Sequence, residues 1–227
     1  MQDINQITCH EKFNFTLHFN IIYFHNFCFF QSSMLEKGFS AKFSFGFPPD
    51  AYGYDGDFPL PEELLLNTTY GFEIGNQWYF YTNEQFGIGL DVNWLDVVYG
   101  KSKMDVLVGE SVKRLTLEGS FLEFGPLATF AFNDIFAIEG YYNLRPSYMA
   151  TYYYENEDDN LLIYDFGFLH GLGIGARFKF LYVGYEYTFG NIEGGVTGWG
   201  ELEEIADMLS EQTLGAANSK LILGFQF

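Results

Sequence analysis

The sequence predicts an all-β fold, an eight-stranded antiparallel up-and-down transmembrane β-barrel with short turns at one end and long loops at the other. Three observations predict it. The 227 residues include 27 Phe, 17 Tyr and 25 Gly, yet the mean hydropathy is close to zero, at −0.02. Segments of about ten residues alternate between bulky apolar residues and small or polar ones, as membrane-spanning strands do. The connections between these segments alternate between long and short.

A soluble β-sandwich or lipocalin-like barrel would also alternate. Soluble barrels, however, turn bulky residues inward and charges outward, and the segments here favour the reverse. The net charge of −19 argues against nucleic acid as a partner. Both cysteines, Cys9 and Cys28, precede the barrel segments, so we expect no disulfide, no thiolate metal site and no cofactor there.

Residues 1–36 do not follow the pattern and are predicted to be an export leader or a disordered N-terminal segment. Phe13–Phe30 is apolar and aromatic, like the hydrophobic region of a signal peptide. Its several Asn and His residues are unusual in a signal peptide and also argue against a transmembrane helix. The barrel is therefore predicted to occupy residues 37–227.

Alternation predicts each strand of the first half, and turn residues end it. Strand one (38–47) ends at Pro48–Pro49, which removes ladder donors. Strand two (68–81) ends in four consecutive aromatic residues, which are typical of a headgroup boundary. Strand three (86–94) rises about 20 Å, comparable to the apolar band of such barrels. Strand four (115–132) ends at a two-residue hairpin turn, Asn133-Asp134.

The second half repeats the pattern. Strand five (135–154) leads into an acidic loop, and strand six follows that loop and alternates apolar residues with glycines up to Phe178. Strand seven (183–190) follows a turn near Phe180-Leu181, and strand eight ends at Phe227. Residues 199–214 have helical spacing, which predicts a solvated amphipathic loop helix; a plug or partner-docking helix is the alternative.

The connections fall into two classes. The predicted short ones are 82–85, 133–134 and a turn near 180. The predicted long ones are 48–67, 97–114, 155–165 and 191–217. Only the second long connection has appreciable basic content, with Lys101, Lys103, Lys113 and Arg114.

The last strand carries a recognisable signal. Leu223, Phe225 and Phe227 alternate on one face and end the chain on an aromatic ring. This ending resembles the closing strand of bacterial outer-membrane β-barrels, whose terminal aromatic is part of the signal read by the barrel assembly machinery. Residues 37–227 resemble the small eight-stranded barrels of the OmpA and OmpX kind, and the porin-like outer membrane protein β-barrel family.

The resemblance implies an integral location in a Gram-negative outer membrane, with periplasmic short turns and extracellular long loops. It also implies a monomer whose partners are outer-membrane lipid, lipopolysaccharide and the assembly machinery, with any ligand of the loops unidentified.

The predicted inner face carries five residues of each charge sign. Eight strands leave room only for side chains, and buried charges are costly unless paired, so we predict an interior ion-pair network. The alternative is a narrow ion path. The residues are Lys42, Glu73, Asp91, Glu123, Glu139, Arg145, Arg177, Lys179, Glu186 and Lys220.

Catalytic and metal motifs are weak. His170 is the single histidine of the barrel region, is predicted on the lipid face, and lacks the His-x-Ser spacing of lipid A deacylases, so no enzyme is predicted. The first, third and fourth long loops hold 16 acidic residues and no Lys or Arg. Solvated charge is the preferred interpretation of these loops; calcium ions bridging them to lipopolysaccharide is the alternative.

The function predicted from these features is structural or surface recognition, such as adhesion, through acidic extracellular loops. A small ion or solute channel is the alternative, and a lipid-modifying enzyme is the third hypothesis.

Overall fold

The computed structural model describes residues 33–36, 38–49, 66–107, 110–154, 160–199 and 213–227. A 3-10 turn at Ser33–Leu35 precedes the strands. The described part of the chain contains no helix long and apolar enough to cross a membrane. The strands are β1 (Gly38–Phe47), β2 (Thr69–Thr82), β3 (Phe86–Leu107), β4 (Glu110–Ala131), β5 (Phe136–Tyr154), β6 (Asn160–Phe178), β7 (Leu181–Phe189), β8 (Asn191–Trp199), β9 (Thr213–Gly215) and β10 (Asn218–Gln226).

The antiparallel sheet closes into a ring. Each of β1 to β7 pairs with its neighbour in sequence, β7 pairs with β10, and β10 returns to β1. β8 continues β7 beyond Gly190, which has a φ of 143°, a value that glycine adopts readily. β8 pairs with residues 160–167 of β6, the part of that strand nearest the long loops. β9 is a short strand paired with β8. Among the described residues the predicted eight-stranded up-and-down barrel is therefore confirmed.

The predicted loop at 97–114 is wrong, because most of it is strand. β3 continues to Leu107 and β4 begins at Glu110, and the two strands pair along nearly their whole length. The pairing of β3 with β2 skips Trp94, and the pairing of β4 with β5 shifts its register between Ser120 and Phe124. Leu122, within that second shift, has a φ of 58°. A bulge of this kind reverses the alternation of faces, which explains why the sequence pattern seemed to end at Trp94.

Two other predicted loops are also partly strand. β6 begins at Asn160, within the predicted loop 155–165, and β8 occupies 191–199 of the last predicted loop. Most of the amphipathic helix predicted at 199–214, namely residues 200–212, lies outside the described residues. So do most of the first loop, at 50–65, and residues 1–32 of the leader. The described ends of the predicted helix are strand instead, with Trp199 in β8 and Thr213 and Leu214 in β9.

The barrel is apolar outside and charged inside. Phe43, Phe72, Phe130 and Phe225 expose 52%, 38%, 40% and 42% of their surface, whereas Arg145 exposes none. A soluble barrel would show the opposite arrangement. This inverted distribution is the one that a lipid environment requires.

Glycines on the inner face make room for two buried tyrosines. Tyr141 on β5 lies over Gly173 on β6, and Tyr182 on β7 lies over Gly175 and Gly184. The rings therefore lie against the inner wall at positions that carry no side chain.

We expect Gly173→Val to impair barrel formation, because a β-carbon at this position would overlap the Tyr141 ring. Overpacking of this kind costs about 1–3 kcal/mol. Gly119→Val is the matched control, since no atom lies within 4 Å of a β-carbon built there. Heat-modifiable gel migration in detergent measures the folded fraction. Equal folded fractions for the two variants would contradict this placement of Tyr141.

Candidate functional site

The centre of the barrel is an ion-pair cluster around Arg145 on β5. Its Nη1 donates to Glu186 Oε1 on β7 at 2.6 Å, and its Nη2 donates to Asp96 on β3. The same Nη2 lies 3.1 Å from Glu123 Oε1 and 3.7 Å from Glu118 Oε1, both on β4. One guanidinium thus joins carboxylates from three strands, a geometry that its planar fork of donors suits.

Two lysines extend this cluster across the closing strands. Lys220 on β10 lies directly opposite Glu186 on β7, and its Nζ is 3.5 Å from Glu186 Oε1 and 3.1 Å from Asp96 Oδ2. Lys42 on β1 lies directly opposite Glu73 on β2, and their charged atoms are 2.6 Å apart. The strand register itself therefore creates both cross-strand ion pairs.

Amide and phenol groups complete the hydrogen bonding of the cluster. Asn143 Nδ2 donates to Asp91 Oδ2 at 2.9 Å, and the Tyr141 hydroxyl donates to Glu186 Oε2 at 3.0 Å. Lys42 Nζ lies 5.5 Å and 5.4 Å from the ring centroids of Tyr141 and Tyr182, within the range of a cation–π contact. Polar and aromatic groups therefore fill the space that the charges leave.

Below this cluster, towards the short turns, lies a second polar layer. Arg177 Nη2 is 3.2 Å from Glu139 Oε1, and Gln77 Nε2 donates to Glu139 Oε2 at 3.0 Å. Gln226 donates to Gln77, which ties β10 to β2.

The 3-10 turn covers the short-turn end of the barrel. Met34 and Leu35 are buried against Ala131 and Ala137, and Arg177 donates to the Met34 carbonyl. These two residues precede the domain boundary predicted at residue 36, so the packed part of the chain includes at least Met34 and Leu35.

An apolar layer covers the long-loop end. It is built from β5, β6, β8 and the ends of two connections, and all its members are nearly or fully buried. They are Leu66, Met149, Tyr153, Leu161, Ile163, Leu169, Ile192 and Ala216.

The structure places nine of the ten predicted interior charges inside the barrel. The exception is Lys179, which is exposed in the two-residue turn between β6 and β7 with a φ of 54°. The prediction for Lys179 extended the alternation of β6 one step beyond Phe178, where the strand ends.

Four further buried charges, Asp96, Arg114, Glu118 and Asp165, were missed. The sequence contained a signal for two of them, because Arg114 and Glu118 alternate with Leu115 and Leu117. With these additions, eight carboxylates and five cations are buried in the described part of the chain, so acids exceed bases by three. The predicted numerical balance is therefore replaced by an acidic excess.

His170 lies on the outer face. Its Nδ1 is 2.5 Å from the Tyr142 hydroxyl, and its ring stacks against Tyr142 and Phe189. In the described part of the chain, no three His, Cys, Asp or Glu residues group as a metal site would require.

The terminal strand presents the predicted assembly signal to the outside. Leu223, Phe225 and Phe227 are exposed, and the rings of Phe225 and Phe227 stack with Phe180. The Phe227 carbonyl accepts a hydrogen bond from the Phe39 amide at 2.8 Å, so the last residue still belongs to the β1 ladder.

No family model matches the chain, and no curated protein matches it in sequence. Similar solved structures include Ail, the attachment invasion locus protein of Yersinia pestis, alone and with the heparin analogue sucrose octasulfate. Each of these has a TM-score of 0.44, 11% identity, and covers 84% of this chain and 97% of Ail. The outer membrane protease OmpT of Escherichia coli has a TM-score of 0.44 and 7% identity, with 84% of this chain and 93% of OmpT covered.

We expect Arg145→Met to lower the free energy of unfolding by about 3–5 kcal/mol, because it leaves several buried carboxylates without their cation. Urea unfolding in detergent micelles, followed by tryptophan fluorescence, measures the change. Lys179→Met removes an exposed positive charge and serves as the control. Equal unfolding midpoints for the two variants would show that the Arg145 ion pairs contribute little.

Proposed function

We propose that the chain is an integral barrel of the bacterial outer membrane that anchors surface-recognition segments and does not conduct ions. The outer face of β3 supports the membrane placement. It remains apolar or aromatic from Phe86 to Tyr99, thirteen residue steps apart. That distance corresponds to a rise of about 33 Å for a tilted strand, enough for a hydrocarbon band and its aromatic borders.

The observation that carries the proposal of a closed barrel is the layering of its interior. Charges cluster in the middle, the layer around Leu161 and Ile163 covers one end, and Met34 and Leu35 cover the other. An eight-stranded barrel has an interior just wide enough for its side chains. Because these layers fill the interior, the proposed role of the barrel is that of an anchor rather than a pore.

The strands themselves support a role at the long-loop end. β2 begins opposite Gly100 of β3. Nearer the long loops, five strands still pair side by side, through one row of directly opposite residues: Lys103, Lys113, Tyr154, Asn160 and Trp199. β3 continues for seven residues past Gly100, or about 23 Å of strand. A wall of five strands rising on one side, together with acidic connections, suits recognition of a partner outside the cell.

A narrow cation path is the second candidate, because the buried acids outnumber the buried bases by three. We propose no enzymatic activity. The position of His170 on the outer face, with its ring stacked against Tyr142 and Phe189, supports this.

We expect the purified protein to show no reproducible conductance steps in planar lipid bilayers. Replacing both buried tyrosines, as Tyr141→Ala with Tyr182→Ala, removes part of the filling of the interior and is expected to produce leakage. Tyr152→Ala on the outer face of β5 removes a tyrosine without opening the interior and is the control. Regular cation-selective steps from the parent protein would favour the channel.

We also expect an epitope inserted between Glu157 and Asp158 to be labelled on intact cells. An epitope inserted between Asn133 and Asp134, in a short turn, is expected to be labelled only after the outer membrane is permeabilised. The reverse pattern would place the long-loop end in the periplasm and remove the proposed recognition role.

A further inference from the structure

Three lysines form a cationic cluster on the outer face of the β3–β4 hairpin. Lys103 lies directly opposite Lys113 across the two strands, and Lys101 lies one outward position below Lys103 on β3. Lys101 and Lys103 are exposed, and Lys113 is half-buried. Lys113 Nζ is 5.2 Å from the ring centroid of Tyr154 on β5.

This concentration is unusual for the chain. It has 11 Lys and Arg residues and a net charge of −19. Five of these cations are buried in the barrel, and among the described side chains the exposed or half-buried ones are these three lysines and Lys179. Among the described residues, the positive charge on the outer surface is thus gathered largely at one height on one hairpin.

That height is the upper border of the apolar outer face. On β3, Lys101 and Lys103 lie beyond the outward Tyr99 in the direction of the long loops. On β4, Lys113 lies beyond the outward Leu115 and Leu117 in the same direction. Tyr152 and Tyr154 continue the same border on β5. Tyrosines concentrate where hydrocarbon meets lipid headgroups, so the lysines stand at headgroup level.

The arrangement also favours an anion. Like charges directly opposite on neighbouring strands repel each other, whereas an anion placed between Lys103 and Lys113 is attracted to both. Lysine binds phosphate as a compact point charge, and an adjacent tyrosine ring can pack against a sugar or acyl chain.

We propose that Lys101, Lys103 and Lys113 bind the phosphate groups of a phosphorylated glycolipid in the outer leaflet, with Tyr154 packing beside them. The proposal rests on the membrane placement above, and it adds a specific lipid site to the anchoring role. Lys179, the other exposed lysine among the described side chains, lies at the opposite end of the barrel and takes no part.

Native mass spectrometry of the folded barrel in non-ionic detergent, titrated with bisphosphorylated lipid A, tests the site. We expect each of Lys101→Gln, Lys103→Gln and Lys113→Gln to weaken binding about fivefold. The triple variant should bind no better than the parent protein binds phosphatase-treated lipid A. Lys179→Gln is the matched control and should bind as the parent does.

Several outcomes would overturn the proposal. These are equal weakening by Lys179→Gln, unchanged binding by the triple variant, and equal binding of the dephosphorylated lipid. Displacement of the lipid by millimolar inorganic phosphate would identify a free-phosphate site instead. Lysine-dependent binding of heparin without binding of lipid A would identify a soluble polyanion as the ligand.

These outcomes are separable from those that test the anchoring role. Heat-modifiable migration of the triple variant shows whether the barrel still folds. Conductance by the parent protein would overturn the closed-barrel proposal and leave the lipid site standing. Absence of lipid binding by a parent barrel that is folded and does not conduct ions would overturn the lipid site alone.

Discussion

The ion pairs around Arg145 are the interaction on which the rest of the barrel depends. Lipid outside requires apolar side chains on the outer face of each strand, and the alternation of a strand then sends its polar residues inward. Charges confined in so narrow a space are tolerable only when they are paired. Arg145 joins Glu186, Asp96 and Glu123 from three other strands, so closure of the sheet and pairing of these buried charges are one event.

The closed interior that we propose determines what the molecule can offer its surroundings. Rigid packing from the Met34 turn to the layer around Ile163 makes the barrel a platform. Among the described residues, the wall of β3 to β6 and β8 rises from that platform on one side. The proposed recognition by the long connections and the proposed lipid contact by the lysines at the foot of the wall are compatible, because they use different heights of the same face.

Sequence reasoning located the faces of the strands well and their ends poorly. Lys42, Glu73 and Arg177 could be assigned inward because alternation with period two is a local property. The assignment failed beyond Trp94 because a bulge reverses the alternation, and no residue type marks a bulge of this kind clearly. For that reason, the position of Asp96 inside the barrel was not predicted from the sequence. Lys179 failed for the opposite reason, since the pattern was extended into a turn.

By itself the sequence determined the class of fold, the number of barrel strands, the inversion of polarity and the aromatic ending at Phe227. Each of these follows from spacing along one strand. Only the tertiary structure decided which charges meet, that Lys42 faces Glu73 and Lys220 faces Glu186, and that Met34 and Leu35 enter the barrel. Register and bulges set those contacts. Both depend on pairing between segments far apart in the chain, which local patterns do not encode.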